Sequence, residues 1–422
     1  MILSFVIQNF KSILDITLST KFDEGAAPNG YKDSNFHIFL EEKKQRVSPI
    51  LSIYGANASG KSNIIKAIDR FDDLITKGIE NTLFEQNKLN KKYENTKFAI
   101  NFIFKKKIYE YSIAYNNKTI EEESLICNNK NLFVCKKQKL CEIAELNKYY
   151  SKDRLSEIFK IECKDSNQNQ INTLLRILAK NYANLNKEIA DAYYYLTKKV
   201  EICLEQPYSN YYSLNKLTKE IKSEETALNK INVITKKFDI DIENIFYEKK
   251  ETNLKEAGFN FPYREIIDID KNNDKVYYGQ FYTIHKNIEN SIVQFDIREE
   301  SQGTQTVIPI IGVILATLEK GGVLFIDELD KSLHPLLLIQ LTRLFKDKRY
   351  NKNNAQLIFT LHCTDLLEDE LIRKSEIGIV SKNKKEGSTF IKLSKFKNLR
   401  NALDFRKRYL MGEFAGIPYA YI

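Results

Sequence analysis

Gly55-Ala56-Asn57-Ala58-Ser59-Gly60-Lys61-Ser62 satisfies the pattern G-x-x-x-x-G-K-[ST]. The short apolar run Ser48 to Tyr54 (SPILSIY) leads into it, and Ser62 to Phe71 (SNIIKAIDRF) leaves it with apolar residues at helical spacing. Strand, turn and helix therefore follow in the order that a phosphate-binding loop requires. The glycines let backbone N–H groups wrap an anion, and the start of the helix adds a positive dipole end. Lys61 is expected to meet the β and γ phosphates of ATP, and the Ser62 hydroxyl to ligate Mg²⁺. Asn57, Ala58, Ser59, Gly60 and Asn63 complete the expected nucleotide contacts with Gly55.

Leu324-Phe325-Ile326-Asp327-Glu328 is an apolar run ending in two acids. Alternation along a strand sends consecutive side chains apart, so adjacent acids can take separate tasks. Asp327 is expected to hold Mg²⁺ through water, and Glu328 to polarise the attacking water. Further on, Ser301 and Gly303 stand just before an apolar helix, a second backbone anion site at a helix N-terminus. Leu329-Asp330 extends the acidic motif. His362 follows the strand Leu357 to Thr360, where a γ-phosphate contact is needed.

The rest of the chain organises around these motifs. Ile2 to Phe10 and Ile13 to Leu18 read as strands, and Phe98 to Phe104 with Ile108 to Tyr115 as a hairpin joined by Lys105-Lys106-Lys107. From about residue 151 the period becomes helical, with Leu178, Tyr182, Leu185, Ile189, Ala192, Leu196 and Cys203 in one series and Leu214, Leu217, Ile221, Leu228 and Ile231 in the next. This predicts a helical hairpin whose longer arm, about 35 residues, spans ~50 Å, either packed as amphipathic helices or protruding as a coiled coil. Strand character returns at Lys275 to His285. Val307 to Leu318 reads as a helix with Pro309 in its first turn, and Val323 to Ile326 and Gln356 to Thr360 as buried parallel strands, each trailed by a helix. The fold class expected is α/β, with head segments 1–150 and 241–422 flanking a helical insertion over 151–240.

Composition narrows the function. The 422 residues are 43% hydrophobic and 29% charged, enough to fill a core and wet a surface, which excludes disorder and disulfide scaffolds. The apolar stretch Val307 to Leu318 is too short for the ~20 residues of a spanning helix, and the N-terminus carries no long apolar run, so a cytoplasmic protein without membrane contact is expected. Six cysteines without a CxxC pair and four histidines give no zinc or disulfide framework. The net charge of +9 is concentrated between Lys382 and Arg408, where ten basic residues face two acids, with Phe390, Phe396 and Phe405 interleaved. That clustering keeps an acidic partner, nucleic acid included, in view.

Taken in order, phosphate loop, Ser-x-Gly helix cap, acidic strand end with Leu-Asp, then strand and histidine, the chain resembles the ABC-type ATPase heads of the SMC, RecF and OLD families. Gln8-Asn9-Phe10-Lys11-Ser12-Ile13, Glu300-Ser301-Gln302-Gly303-Thr304, Asp327-Glu328-Leu329-Asp330-Lys331-Ser332-Leu333-His334-Pro335 and Tyr409-Leu410-Met411-Gly412-Glu413-Phe414-Ala415-Gly416-Ile417-Pro418 look like the AAA/ABC ATPases of bacterial abortive-infection and restriction-linked loci. The resemblance covers about residues 1–135 and 240–422. It implies an ABC-type P-loop head whose Ser301 and Gly303 face the nucleotide of a second subunit, with Asp330 at the dimer interface and His362 as the switch histidine. These heads carry a glutamine loop between phosphate loop and signature. Gln86, the one glutamine between Ser62 and Lys137, stands at no strand end, and that role stays unassigned. With 60 residues after His362 in this sequence, the ~100-residue nuclease domain of the OLD type is not expected here.

The function expected from the resemblance is Mg-ATP hydrolysis by heads that form a homodimer or higher homo-oligomer and control a separately encoded effector in antiviral defence. A RecF-like DNA repair ATPase is the alternative, and a nucleotide-gated scaffold with negligible turnover a third reading.

Overall fold

The computed structural model describes residues 1–23, 38–40, 45–78, 84–89, 92–137, 139–143, 171–181, 186–204, 210–238, 241–253, 265–270, 275–368, 372–383, 385–396, 403–414 and 416–417. They form two compact units, one made of 1–204, 321–329 and 342–422, the other of 205–320 and 330–341.

The first unit is built on a sheet of thirteen strands. β1 (Ile2–Phe10) and β2 (Ile13–Ser19) make an antiparallel pair, and β3 (Ile38–Leu40) with β4 (Gln45–Val47) a small separate ribbon. β5 (Ile50–Gly55), every residue of it buried, runs into α1 (Lys61–Thr76). Next come β6 (Thr96–Phe104), β7 (Lys107–Tyr115), β8 (Ile120–Cys127), β9 (Lys130–Lys136) and β10 (Lys139–Ile143), an antiparallel meander. The β6–β7 turn is Lys105-Lys106 alone, both at positive φ of 47° and 61°, the backbone a two-residue hairpin needs. Lys107 already pairs with Phe104.

Helices α2 (Leu174–Asn181) and α3 (Lys187–Tyr194) follow, and α3 passes through a π-helical turn, Tyr195–Lys199, into β11 (Val200–Cys203). The periodic series from Leu178 to Cys203 is thus not one long arm: it is cut at the Asn186 cap, whose side chain accepts from Ile189 N, and ends as a strand. β11 pairs in parallel with β16 (Val323–Ile326), which keeps α2, α3 and β11 in the first unit rather than in an insertion. Tyr182 and Leu185 lie outside the described residues.

In the second unit α4 (Asn210–Ile221) and α5 (Glu224–Lys237) form a helical hairpin, but not the expected one: the series Leu214 to Ile231, read as a single arm, is itself split at Lys222 and the Ser223 cap. A four-stranded sheet of β12 (Asn244–Asn253), β13 (Glu265–Asp270), β14 (Lys275–Lys286) and β15 (Ile292–Asp296) follows. α6 (Gln302–Lys320) begins five residues before the apolar run at Val307, because Ser301 caps it: its Oγ accepts from Thr304 N at 3.2 Å. Pro309 is consequently inside the helix and not in its first turn, and it forgoes the N–H that would reach back to residue 305.

The remaining elements are β16 (Val323–Ile326), α7 (Pro335–Lys346), β17 (Gln356–Thr360), β18 (Ile377–Asn383), β19 (Gly387–Lys392) and α8 (Leu403–Leu410). β18, β5, β17, β16 and β11 lie side by side, all parallel, and β5, β16 and β17 are buried throughout, as a sheet covered on both faces demands. After β17 the described chain makes two 3₁₀ turns, Asp365–Leu367 and Lys374–Glu376, where a helix was expected. α1 turns Ile64, Ile68, Phe71 and Ile75 inward, and Phe71 meets Phe5 edge-on at 5.3 Å.

One buried acid ties the meander to α2. Glu123 is 1% exposed and accepts from Leu174 N at 2.7 Å, Leu175 N at 2.8 Å and Tyr111 OH at 2.9 Å. Burial pushes its carboxyl up to about 7, outweighing these three donors. The folded state therefore holds a proton that the unfolded chain releases above pH 4.5, so Glu123 contributes stability that is complete below pH 4.5 and lost as pH rises through 7. We expect the unfolding free energy of the wild type, from denaturant titration, to fall between pH 5 and pH 8 relative to Glu123→Gln, by on the order of 3 kcal/mol. Parallel pH profiles of the two proteins would remove Glu123 from that role.

Candidate nucleotide-binding site

β5 is flanked in parallel by β17 and β18, so its C-terminal end opens into the crevice where open α/β sheets bind ligands. Gly55 closes the strand against β18: a Cβ there would stand 2.3 Å from the Val380 carbonyl oxygen. Beyond it the chain turns through Ala58 at φ 60° and Gly60 at φ 109°, the second a conformation open to glycine. Asn57 and Ala58 are exposed, whereas Ser59 and Lys61 are buried. Lys61 Nζ donates to the carbonyls of Gly55 at 2.7 Å and Ala56 at 3.2 Å, so the cation is folded into the mouth of its own loop. Ser59 Oγ is buried with no hydrogen-bond partner among the described residues. A glycine-bounded loop with one buried cation, one orphaned hydroxyl and Ser62 and Asn63 at the start of a 16-residue helix fits a nucleotide triphosphate.

The register of the parallel strands carries the second half of the site to the same level. Thr360 pairs with Ile53, and Phe359 with Ile326, so β17 stands between the phosphate loop and the acidic strand end. Thr360 Oγ1 donates to Asp327 Oδ1 at 2.6 Å and accepts from Glu328 N at 2.7 Å. Asp327 N bonds the Cys203 carbonyl at 2.9 Å, and Leu329 N the Thr360 carbonyl at 3.1 Å. The buried Asp327 is thereby fixed, while the chain kinks at Glu328, whose φ of 50° is a strained value for a side-chain-bearing residue. That kink turns Glu328 out of the sheet, and its Oε1 lies 3.3 Å from His362 Nε2. Both side chains are about two-fifths exposed, at 39% and 44%, so the contact orients them more than it stabilises the fold. Lys61, Ser62, Asp327, Glu328 and His362 all belong to the first unit. Thr360 went unread in the sequence, although a hydroxyl closing an otherwise apolar strand two residues before His362 is a recognisable sign.

Ser301, Gly303 and Asp330 belong to the second unit. Ser301 is exposed at the start of the 19-residue α6, and its Oγ lies 2.9 Å from Thr304 Oγ1. Gly303 packs against the turn that carries Asp330: its Cβ would stand 3.2 Å from the Ser332 carbonyl oxygen, and Leu333 N closes that turn on the Asp330 carbonyl at 3.2 Å. The structure thus brings signature and Leu-Asp segment together. Glu300, next to the signature, is gripped by Thr283 and, at 2.6 Å, by His285 Nε2, and Gln305 Nε2 donates to its carbonyl at 2.7 Å.

The terminal motifs prove to be supports. Asn9 is fully buried, its Nδ2 donating to the carbonyls of Tyr93 at 3.0 Å and Asn95 at 3.1 Å, while Lys11 pairs with Glu85 at 2.7 Å. Gln86, between the two anchored residues Glu85 and Asn87, is exposed. At the other end Tyr409 packs edge-on against Tyr54 at 6.1 Å and donates to the Gly416 carbonyl at 2.9 Å. Ala415 and Pro418 lie outside the described residues. Of the seven basic residues of the stretch that are described, at least four have acceptors: Lys392 is buried on the Lys21 carbonyl, Lys395 lies 3.8 Å from Asp23, Arg406 pairs with Glu368 at 3.2 Å and Arg408 with Glu413 at 2.6 Å, while Lys382, Lys385 and Lys407 are exposed. Phe405 is buried and Phe396 stacks edge-on with Phe414, so these rings build core. Lys384, Lys397 and Arg400 are not among the described residues.

A glycine-bounded lysine loop at the end of a parallel strand, level with a buried Asp and a neighbouring Glu, defines a P-loop NTPase of the α/β class. The chain belongs to the family described as "AAA domain, putative AbiEii toxin, Type IV TA system", whose model matches residues 50–132 and 153–367. Membership implies nucleotide binding. Among solved structures it is similar to the SMC head bound to the C-terminal winged-helix domain of ScpA, at 14% identity over 92% of this chain and 96% of that one, TM-score 0.39. It is also similar to the SMC head of Thermotoga maritima, at 11% identity over 93% and 98%, TM-score 0.40. A third is the SMC head with coiled coil and joint from Pyrococcus yayanosii, at 11% identity over 98% and 99%, TM-score 0.41. No curated protein matches. No helix of the described residues is long and apolar enough to cross a membrane.

Relieving the kink at Glu328 separates strain from chemistry. Glu328→Gly removes the αL penalty of ~1–2 kcal/mol and adds unfolded-state freedom of ~0.5–1 kcal/mol, so the folded protein gains by up to about 1.5 kcal/mol. We expect a higher denaturant midpoint without nucleotide and no ATP turnover. A lower midpoint would mean that the kink is not strained.

Proposed function

We propose that this protein is a Mg-ATP-dependent ABC-type ATPase that completes its site between two copies and controls a separately encoded effector in anti-phage defence. The observation that carries the reading is the single row formed by the phosphate loop, the Thr360-bound Asp327, Glu328 and His362 on adjacent parallel strand ends. Lys61 would neutralise charge on the β and γ phosphates, with Gly55, Asn57, Ala58, Ser59, Gly60 and Asn63 shaping the loop around them. Ser62 and Asp327 offer the hard oxygen donors that Mg²⁺ takes, and the ion would supply charge neutralisation at the phosphates. Glu328 would accept the proton of the attacking water, and His362, in contact with it, would sense the γ-phosphate.

Two features support a composite site. Ser301 is exposed and presents a helix N-terminus, the kind of group that stabilises an anion, and Gly303 leans on the Asp330 turn, so both segments would respond together to a nucleotide on another copy. The toxin and toxin–antitoxin wording of the family supports a role in defence through an effector. DNA repair is less well supported, because at least four of the seven basic residues described between Lys382 and Arg408 already have acceptors and Phe405 is buried.

Lys61→Ala is expected to lose ATP binding by at least tenfold, while Glu328→Gln binds ATP like the wild type and releases no phosphate. Mixing Lys61→Ala with a variant blocked at Gly303, Gly303→Asp, should restore up to about a quarter of wild-type turnover, since a mixed pair holds one intact composite site. Turnover no higher than the sum of the two separate variants would indicate a site complete within one copy.

A further inference from the structure

Ser12, in the turn between β1 and β2, and Ser388, in β19, meet on the backbone of the phosphate loop with their hydroxyls 2.7 Å apart. Asn63 Nδ2 donates to Ser12 Oγ at 2.7 Å, and Ser388 Oγ donates to the Ser59 carbonyl at 2.6 Å. The protons then have one consistent order: Asn63 gives to Ser12, Ser12 to Ser388, and Ser388 to the loop. Ser388 N also donates to the Ser12 carbonyl at 2.8 Å, and Ser388 is fully buried. The fit leaves no slack, for a Cβ on Gly60 would stand 2.2 Å from Ser388 Oγ and 2.8 Å from Ser12 Oγ. Gly387, at φ 69°, lets β19 come this close, since its own Cβ would stand 2.4 Å from the Ser12 carbonyl oxygen.

A trans peptide is planar, with C=O and N–H on opposite sides. Holding the Ser59 carbonyl from the Ser388 side therefore aims the Gly60 N–H the other way. We propose that Ser12 and Ser388 are positioning residues for the nucleotide: their hydroxyl pair fixes the Ser59–Gly60 peptide so that its N–H is set toward the phosphates before ATP arrives. Neither residue touches the nucleotide in this scheme. They act through the loop, and they tie its shape to the β18–β19 hairpin. The inference rests on the reading of the loop as an ATP site.

The experiment measures ATP affinity with a fluorescent ATP analogue and steady-state kinetics for the wild type, Ser12→Ala, Ser388→Ala and the double variant. A core variant outside the loop, Ile113→Val, serves as the control for a general loss of stability. Ser388→Ala is expected to raise Kd and KM about tenfold with kcat at saturating ATP within twofold, because a freed peptide weakens binding and leaves Glu328 in place. The double variant should lose no more than about threefold beyond Ser388→Ala, since the two hydroxyls act as one chain. A Kd within twofold of wild type for Ser388→Ala, or an equal loss in Ile113→Val, would overturn the inference and leave the ATP site standing. Absence of ATP binding in the folded wild type would overturn both.

Discussion

Gly55 ends the central strand with its Cα against the Val380 carbonyl oxygen, where a Cβ would stand only 2.3 Å away. That contact lets β18 and β5 stay paired to the last residue, Val380 opposite Gly55, and so sets the level at which the phosphate loop leaves the sheet. Everything chemical in the first unit is registered to it. Thr360 is opposite Ile53 and Phe359 opposite Ile326, so Gly55, His362 and Glu328 each stand two residues past a paired position on neighbouring strands. Parallel pairing thus converts sequence separations of some 300 residues into one row of functional groups. A side chain at residue 55 would push β18 away from the strand that carries the phosphate loop.

Around this row the fold invests its polar interior. Buried hydrogen-bonding groups are costly unless satisfied, and here they are spent on fixing backbone that must hold an unusual shape. Thr360 serves Asp327 and the kinked Glu328 together. Asn9 secures residues 87, 93 and 95 beside the N-terminal turn. Farther along the same unit, Lys346 and Glu376 form a fully buried ion pair, with both carboxylate oxygens within 2.7 Å of Nζ, and the Glu376 carbonyl accepts from Ser52 Oγ on the phosphate-loop strand. Removing one member would leave a buried charge, which typically costs several kcal/mol.

Much of this was legible in the sequence because it rests on local patterns. Strand, glycine turn and helix around Lys61 are contiguous, and the apolar runs that end in Asp327 and Thr360 advertise buried parallel strands. What escaped depends on partners distant in the chain. Nothing local marks Ser388 as touching Gly60, or Glu123 as capping α2 from across the meander. The helical series to Cys203 misled for a related reason: period 3.6 holds to Tyr194, a π-helical turn replaces it from Tyr195, and parallel pairing with β16 overrides it at Val200. Pro309 was placed one turn or more too early because the first turn of α6 is polar and lies outside the apolar run that betrays the helix. The terminal motifs were read through resemblance, and the structure supplies their physical content as braces on the loop and its strand.

A site shared between copies requires that nucleotide join them. Sedimentation velocity of the Glu328→Gln protein, with and without Mg-ATP, tests this directly, because a variant that binds and does not hydrolyse should hold the closed state long enough to be weighed. A shared site would double the mass, or raise it to a higher even multiple, on addition of Mg-ATP, reversed when nucleotide is removed and absent when Lys61→Ala is also present. An unchanged mass at full ATP occupancy would contradict it.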